Sequence, residues 1–360
     1  MNKNFSEKRM GAALHVAFVM AAVLLTLSMM LTQSFAQDVS PGNARKGLQI
    51  LMLGTHGGPG LVKQRSEPAT LLIVDGQPYL IDCGIGTMQR MLDAGVQSQT
   101  IGTIFFTHDH PDHALGLVDV LANDYLLSYD FARPSSHNEF NIYGPPQTPA
   151  LVKAAYQFIK IPYGIFAAEP LGRSKLGNPF KVHVVDHDGL VYHDDKIRVT
   201  AAENTHYRLM PAKYHATMKS YSYRFDTHYG SIVLTGDTGQ CQAVEALAKG
   251  ADVLISEVED LKPIERSLPP SGKAGKENKL AGHMRLEHLP MKAVGELATA
   301  ARVKAVILYH FVGVGNGEKF VTGVKKYYSG PVFAGEDLAR YCLSADTANN
   351  KGASKLTLCN

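Results

Sequence analysis

The segment Thr107-His108-Asp109-His110-Pro111-Asp112-His113-Ala114-Leu115-Gly116 places three imidazoles and two carboxylates within six residues, directly behind the apolar run Ile104-Phe105-Phe106. That run reads as a strand, which would present the polar groups at the carboxyl edge of a sheet. Burying so many rings and acids without partners costs roughly 1–3 kcal/mol for each group. Metal coordination removes that cost. His108 and His110 alternate as i and i+2 off an extended strand, so their rings share one side, while Asp112 and His113 turn toward a second position. A single structural zinc takes four ligands and usually recruits thiolates. This cluster holds no Cys, and its His-x-His-x-Asp-His order suits two adjacent metals.

The run resembles the signature of the metallo-β-lactamase superfamily, and the resemblance covers roughly residues 48 to 343. It implies an α/β fold, a four-layer αβ/βα sandwich whose halves meet at a binuclear metal site. Family members add a third His, a bridging Asp and a last His, each at a strand end. This chain offers His206 in Glu203-Asn204-Thr205-His206, Asp237 in Leu234-Thr235-Gly236-Asp237-Thr238, and His310 in Val306-Ile307-Leu308-Tyr309-His310-Phe311. The resemblance implies that His108, His110 and His206 hold one metal, that Asp112, His113 and His310 hold the other, and that Asp237 bridges them. Read as residues alone, Asp237 could instead cap a helix and His310 could be a buried neutral ring. His215, nine residues beyond His206, competes with it for the third-histidine place, and only the match of Glu-Asn-Thr-His separates the two. Asp109 is the spacer inside the run, expected to point away from the metals.

A further motif, Gly282-His283-Met284-Arg285-Leu286-Glu287-His288-Leu289-Pro290, leads toward the His310 strand. Its His288 looks like the extra histidine of the arylsulfatase and ribonuclease Z branch, which acts on the leaving group or the phosphoryl oxygens. By that resemblance His288 is a general acid, oriented by Glu257 in Ile255-Ser256-Glu257-Val258. The catalytic set is then Asp112, Asp237, His288 and Glu257; the bland alternative makes His288 a polar residue at a helix start. The loop Gly54-Thr55-His56-Gly57-Gly58-Pro59-Gly60 lacks the Lys-Ser/Thr end of a phosphate-binding P-loop, and His56 reads as rim rather than ligand.

Elements must carry these groups to one place. Leu48–Leu53 reads as a first strand, and Thr70–Val74 and Tyr79–Ile81 as a hairpin around Asp75-Gly76-Gln77-Pro78. Further strands are expected at Lys181–Val185, Ile197–Ala201, Tyr221–Phe225, Ser231–Leu234, Val253–Ile255 and Ala305–Tyr309. Helices are expected at Gly84–Ala94, Asp112–Leu127, Pro149–Ile159, Gln240–Lys249 and Leu289–Ala301. Residues 262–279, rich in Pro, Gly and Lys, read as a mobile loop. Its five cations, Lys262, Arg266, Lys273, Lys276 and Lys279, face two acids, Glu265 and Glu277, a bias that could attract an anionic ester. Strands in runs with helices interspersed fit the sandwich.

With 360 residues, 45% hydrophobic and 19% charged, the chain can bury a sizeable core. No linker or repeat divides it, and the ligand positions run from 108 to 310, so both halves close on one site. Lys3, Lys8 and Arg9 precede an uncharged apolar stretch from Gly11 to Leu31, followed by Ser34-Phe35-Ala36. Residues 1–36 read as a secretory signal cleaved after Ala36, with 37–47 a linker, 48–343 the folded domain and 344–360 a C-terminal tail. Export makes the protein periplasmic or secreted; an uncleaved stretch is long enough to anchor in a membrane. Without the signal the 36 basic and 33 acidic residues fall to a formal charge of +1, so the basicity belonged largely to the signal. Of four cysteines, none spaced as CxxC, Cys342 and Cys359 form the favoured disulfide pair, and Cys83 reads as a buried thiol.

Two adjacent metals would lower the pKa of a water between them and polarise an electrophile, so hydrolysis is the default chemistry. The Asp/His set suits two Zn2+, and accepts Mn2+ or Fe. The usual bacterial ribonuclease Z carries an RNA-binding arm between the third His and the bridging Asp; here only 30 residues separate His206 from Asp237. The near-neutral chain also lacks a basic nucleic-acid footprint. Expected partners are therefore a small-molecule anionic ester, no nucleic acid, the membrane only if the signal is uncleaved, and at most a second copy in a homodimer. The expected function is hydrolysis of small anionic esters, arylsulfatase-like or phosphodiesterase-like, with aryl sulfates ahead because arylsulfatase relatives of this type are exported and lack the arm. Alternatives are a cyclic-nucleotide phosphodiesterase, a lactonase or a ribonuclease Z-type phosphodiesterase. Outside hydrolases stand an iron oxidoreductase and a non-catalytic metal-binding protein. True β-lactamase activity is disfavoured, since the common branch has Cys where Asp237 stands.

Overall fold

A computed structural model describes residues 46–58, 60–129, 140–169, 180–267, 278–313, 315–345 and 354–359. The signal read at 1–36 and the linker at 37–47, except its last two residues, lie outside the described residues. The strands are β1 Leu48–Gly54, β2 Ala69–Val74, β3 Gln77–Ile81, β4 Thr103–Phe105, β5 Phe140–Gly144, β6 Phe180–Val184, β7 Gly189–His193 and β8 Ile197–Glu203. They continue as β9 Tyr221–Thr227, β10 Gly230–Leu234, β11 Val253–Glu259, β12 Ala305–Val312, β13 Val332–Ala334, β14 Arg340–Ala345 and β15 Ser354–Leu358. The helices are α1 Thr87–Asp93, α2 Pro111–Ala114, α3 Leu117–Tyr129, α4 Thr148–Ala168, α5 Gln242–Ala248, α6 Leu261–Ser267, α7 Lys279–Glu287, α8 Met291–Ala300 and α9 Gly317–Val324.

The strands form two sheets, ordered β15-β14-β1-β2-β3-β4-β5-β6 and β13-β12-β11-β10-β9-β8-β7. Side-chain alternation explains why both faces of each are buried. Leu48, Ile50 and Met52 of β1 enter a core shared with Ile232, Leu234, Ile255 and Ile307 of the second sheet. The intervening Leu51 and Leu53 point the other way, into a cluster with Met88, Leu117, Leu121 and Val152 from the helices beneath. A third cluster packs Val233, Leu254 and Val306 against Leu247, Val294 and Phe320. Three cores between four layers make an αβ/βα sandwich, and the two-faced burial is why these strands read as near-continuous apolar runs. Each fully buried Leu or Phe contributes roughly 1.5–3 kcal/mol. The sheets are also tied by polar contacts: the Tyr221 amide donates to the Thr107 carbonyl at 2.8 Å, and the Tyr223 hydroxyl to the Phe106 carbonyl at 2.8 Å.

Topology puts one sheet edge in charge of the chemistry. β3, β4, β5 and β6 run parallel, as do β10, β11, β12 and β13. β8 and β10 both run antiparallel to β9 and hence parallel to each other. The carboxyl ends of β3, β4, β8, β10 and β12 therefore meet at the same rim. The β2–β3 hairpin turns on Asp75 and Gly76, with φ of 49° and 80°, the left-handed pair that a two-residue turn requires.

Several sequence expectations are corrected. α4 does not stop at Ile159 but runs to Ala168 through Pro162. Proline normally ends a helix; here Tyr163 pins the following turn, its hydroxyl donating to the Ala122 carbonyl at 3.0 Å. The flanks of residues 262–279 are helical rather than loop, in α6 and the start of α7. His288 follows a helix instead of opening one, standing in extended conformation at the C-cap of α7. Residues 354–358, read as part of a tail, form β15 on the edge of the first sheet, where Leu356 is buried and the Cys342–Cys359 disulfide fastens the strand. Cys83 is a buried free thiol. Among the described residues no helix is long and apolar enough to cross a membrane.

Candidate metal centre

The seven sequence-predicted ligand residues converge. His108 and His110 follow β4; Asp112 and His113 sit on the single turn α2, started by Pro111 at its first position, where the missing N–H costs nothing. His206 follows β8, Asp237 follows β10, and His310 lies within β12 at φ 46°, where the pairing of β11 with β12 slips by a residue. That bulge turns the ring toward the rim instead of the core. His215 stays exposed, bonded to the Met210 carbonyl at 2.8 Å, so the structure brings His206 and not His215 to the cluster.

Candidate ligand atoms within 4.8 Å of one another fall into groups that include His108 with His110 and His206, and Asp112 with His113 and His310. Asp237 stands between them. Its Oδ2 lies 3.9 Å from Nε2 of both His108 and His206 and 3.0 Å from His310 Nε2, while its Oδ1 lies 3.3 Å from His113 Nε2. The far nitrogens are fixed by partners that aim the near ones inward. Asp82 Oδ2 accepts from His113 Nδ1 at 2.9 Å, the Glu287 carbonyl accepts from His206 Nδ1 at 2.9 Å, and Thr107 Oγ1 lies 3.0 Å from His108 Nδ1. The Gly58 amide donates to Asp112 Oδ2 at 3.0 Å. Such outer partners orient metal ligands and set their tautomers.

The donor set fits a metal by its own accounting. His108 Nε2, His113 Nε2, His310 Nε2 and Asp237 Oδ1 are buried and have no hydrogen-bond partner among the described residues. Four orphaned polar atoms around one point would cost several kcal/mol in total if nothing met them, at roughly 1–3 kcal/mol each. Burial, reinforced by neighbouring imidazoles, holds His108 well below the usual imidazole range, and burial likewise depresses His206, which favours the neutral ring that a metal would need. Burial opposes charge on His113, but the carboxylates of Asp237, Asp82 and Asp112 outweigh it and raise its pKa.

His288 and Glu257 form a second layer. Glu257, fully buried on β11, accepts from His288 Nδ1 at 2.7 Å through Oε2 and from the Thr238 amide at 2.5 Å through Oε1. Burial disfavours charge on His288, yet Glu257 prevails and pushes its pKa up to about 9. The His288 ring lies 4.9 Å from that of His206 and stacks 5.9 Å from that of His310. Asp109 turns away and accepts from Thr148 Oγ1 at 3.0 Å. His56 is at the rim, its Nε2 against the Gly60 carbonyl at 2.6 Å.

Sequence reasoning missed Asp82 and Glu287; it placed the Gly54–Gly60 loop at the rim but not the Gly58 amide on Asp112. Asp82 directly follows β3 at φ 56° and accepts from the Thr107 amide and hydroxyl as well as from His113. An acid between a buried strand and Cys83-Gly84 was the available signal. Nothing local distinguishes Glu287, whose role depends on a residue 81 positions away.

The family model described as the beta-lactamase superfamily domain matches residues 77–311, which span β3 to β12 and so include every residue of the cluster. The chain belongs to the metallo-β-lactamase superfamily. Within it the chain stands in the ribonuclease Z-like branch, and it is a metal-dependent hydrolase. It is 28% identical over 307 residues to a ribonuclease Z of Mycobacterium avium (strain 104), across 83% of this chain and 99% of that one. Two solved structures share the fold. The metallo-β-lactamase fold protein YhfI of Bacillus subtilis superposes with a TM-score of 0.59 at 15% identity, covering 82% of this chain and 99% of its own. A diphosphatase of the PhnP family superposes with a TM-score of 0.56 at 18% identity, covering 81% and 96%.

Proposed function

We propose that this superfamily member is an exported hydrolase of small anionic esters, with phosphodiesters first and aryl sulfates second, working at a binuclear centre. The observation that carries the reading is the convergence of the orphaned atoms of His108, His113, His310 and Asp237 beside the His288–Glu257 pair. His108, His110 and His206 would hold one divalent ion, Asp112, His113 and His310 the other, and Asp237 both. Bound there, zinc, or manganese or iron, supplies Lewis acidity and activates water.

The chain's own residues do the rest. Glu257 accepts the Nδ1 proton of His288 and fixes the ring, so His288 Nε2 is the atom that delivers a proton to the leaving oxygen. The Thr238 amide on Glu257 Oε1 keeps that carboxylate from turning away. The curated relative is named for ribonuclease Z activity and a fold neighbour for diphosphatase activity, both phosphoryl chemistry. Preference for a small substrate is supported by the stretch between His206 and Asp237, where a short turn at Ala212–Tyr214 and the β9–β10 hairpin leave no protruding arm. Export rests on the Lys3, Lys8 and Arg9 leader pattern and is supported by the Cys342–Cys359 disulfide.

The test assays zinc-loaded protein on bis-p-nitrophenyl phosphate, p-nitrophenyl sulfate, cyclic AMP, a lactone and a pre-tRNA, with Asp237→Ala as control. Turnover of the phosphodiester, loss of at least about 100-fold in Asp237→Ala, and an uncut pre-tRNA are expected. Equal turnover by wild type and Asp237→Ala on every substrate would overturn the reading. His288→Ala should lose kcat on poor leaving groups and lose much less on p-nitrophenolate, which needs no acid.

A further inference from the structure

A second histidine–carboxylate pair stands at the mouth of the centre. His283 and Glu287, four residues apart on α7, share one helix face, and Glu287 Oε2 accepts from His283 Nδ1 at 2.5 Å. Glu287 is buried, 4% exposed, and each of its three oxygens accepts a hydrogen bond. Its Oε1 accepts from the Leu209 amide at 2.7 Å, and its carbonyl from His206 Nδ1 at 2.9 Å. One residue therefore couples the loop after His206, the His206 ring and the His283 ring. His283 is held by a carboxylate that cannot rotate without releasing the Leu209 amide, on the residue whose carbonyl holds the His206 ring.

The arrangement repeats that of Glu257 and His288, with one difference. The His288 side chain is 6% exposed and the His283 side chain 31% exposed, so His283 is the ring of the two that meets solvent. Its centroid is 5.1 Å from that of His288, nearly perpendicular at 85°, and 5.7 Å from that of His206. With Nδ1 engaged, Nε2 is the free nitrogen, and it has no partner among the described residues. A fixed imidazole at this position does nothing for the core. We propose that His283 is a substrate-binding residue whose Nε2 contacts a non-bridging oxygen of the anionic ester, with Glu287 as its positioning residue. The assignment rests on the hydrolase reading of the same centre. A hydrogen bond to an anionic oxygen, formed alike in ground state and transition state, strengthens binding more than it speeds the chemical step.

The test uses the full zinc-loaded chain, with inorganic phosphate as probe. Calorimetry should give a phosphate Kd at least about tenfold weaker in His283→Ala than in wild type, a shift of about 1.4 kcal/mol. His283→Gln, which keeps an N–H, should recover part of it. In 15N-labelled wild type, the His283 Nε2 resonance should shift on adding phosphate. On bis-p-nitrophenyl phosphate, His283→Ala should raise KM by the same factor while kcat changes less than about threefold. Unchanged Kd, KM and Nε2 resonance would overturn the proposal. So would loss of zinc from both His283 variants, which would make the residue a support for His206 instead. If no ester is turned over while phosphate binding still depends on His283, the hydrolase reading falls and the anion contact stands. If esters are turned over and His283→Ala matches wild type, the contact alone falls.

Discussion

Gly57→Ala should disable the centre without touching a ligand. A Cβ at Gly57 would lie 2.4 Å from His310 Nδ1, 2.6 Å from His310 Cε1 and 2.7 Å from Val312 Cγ2, against 3.4 Å for ordinary contact. The backbone cannot retreat, because the Gly57 amide donates to the Phe311 carbonyl at 3.2 Å and the adjacent His56 amide to the Ser66 carbonyl at 2.9 Å. The ring must yield by about 1 Å, and a misplacement of that size costs on the order of 100-fold in rate. His310 Nε2 would then leave its positions 3.0 Å from Asp237 Oδ2 and 3.4 Å from Asp112 Oδ2. The assay is kcat/KM on bis-p-nitrophenyl phosphate at saturating zinc, with bound zinc counted in parallel. Gly60→Ala is the control from the same loop, since its Cβ meets nothing within 4 Å; it should stay within about 0.5 kcal/mol in stability and keep its activity. Gly57→Ala with activity within about threefold of wild type would refute the reasoning.

Three further outcomes follow from the same geometry. Asp82→Asn keeps the shape but removes the carboxylate that orients His113 from 2.9 Å, so zinc affinity should fall about 10- to 100-fold by competition with a chelator; an unchanged affinity would contradict the role. Glu259 is fully buried with neither carboxylate oxygen bonded among the described residues, and burial pushes its pKa from 4.5 up to about 8. The folded state then keeps a proton that the unfolded chain releases, so this group's contribution is full below pH 4.5 and is lost as pH rises to about 8. In chelator-treated protein, Glu259→Gln should gain stability over wild type at the upper end of that window, on the order of a few kcal/mol, and a constant difference across it would contradict the burial argument. Finally, the disulfide closes a 17-residue separation, so Cys342→Ser with Cys359→Ser should cost about 3 kcal/mol in urea unfolding; no loss would mean β15 holds without it.

The centre was more legible in the sequence than its support. Metal ligands must be His and Asp of particular order, and they cluster at strand ends, so His108, His110, Asp112 and His113 stand out in one glance along the chain. Asp237 and His310 were reached through the family resemblance, because as residues alone a helix cap and a buried neutral ring fit them equally. The residues that aim them carry no such signature: Asp82 meets His113 across 31 positions and Glu287 meets His206 across 81. Sandwich layers were legible because strands buried on both faces lose their polar alternation, as in β1 and β12. Helix ends were less so. The helix read as ending at Ile159 runs on through Pro162, where Tyr163 makes a tertiary bond, and α7 has too little apolar character to announce itself, although it supplies both Glu287 and His283.

In the proposed reading, seven side chains from both halves of the sandwich build one binuclear centre around Asp237. Metal counting on the full chain, dialysed against zinc and then metal-free buffer, tests it most directly. Two zinc equivalents per chain are predicted for wild type, with at least one lost in Asp237→Ala. A single equivalent in wild type, unaffected by Asp237→Ala, would contradict the bridge and with it the proposed centre.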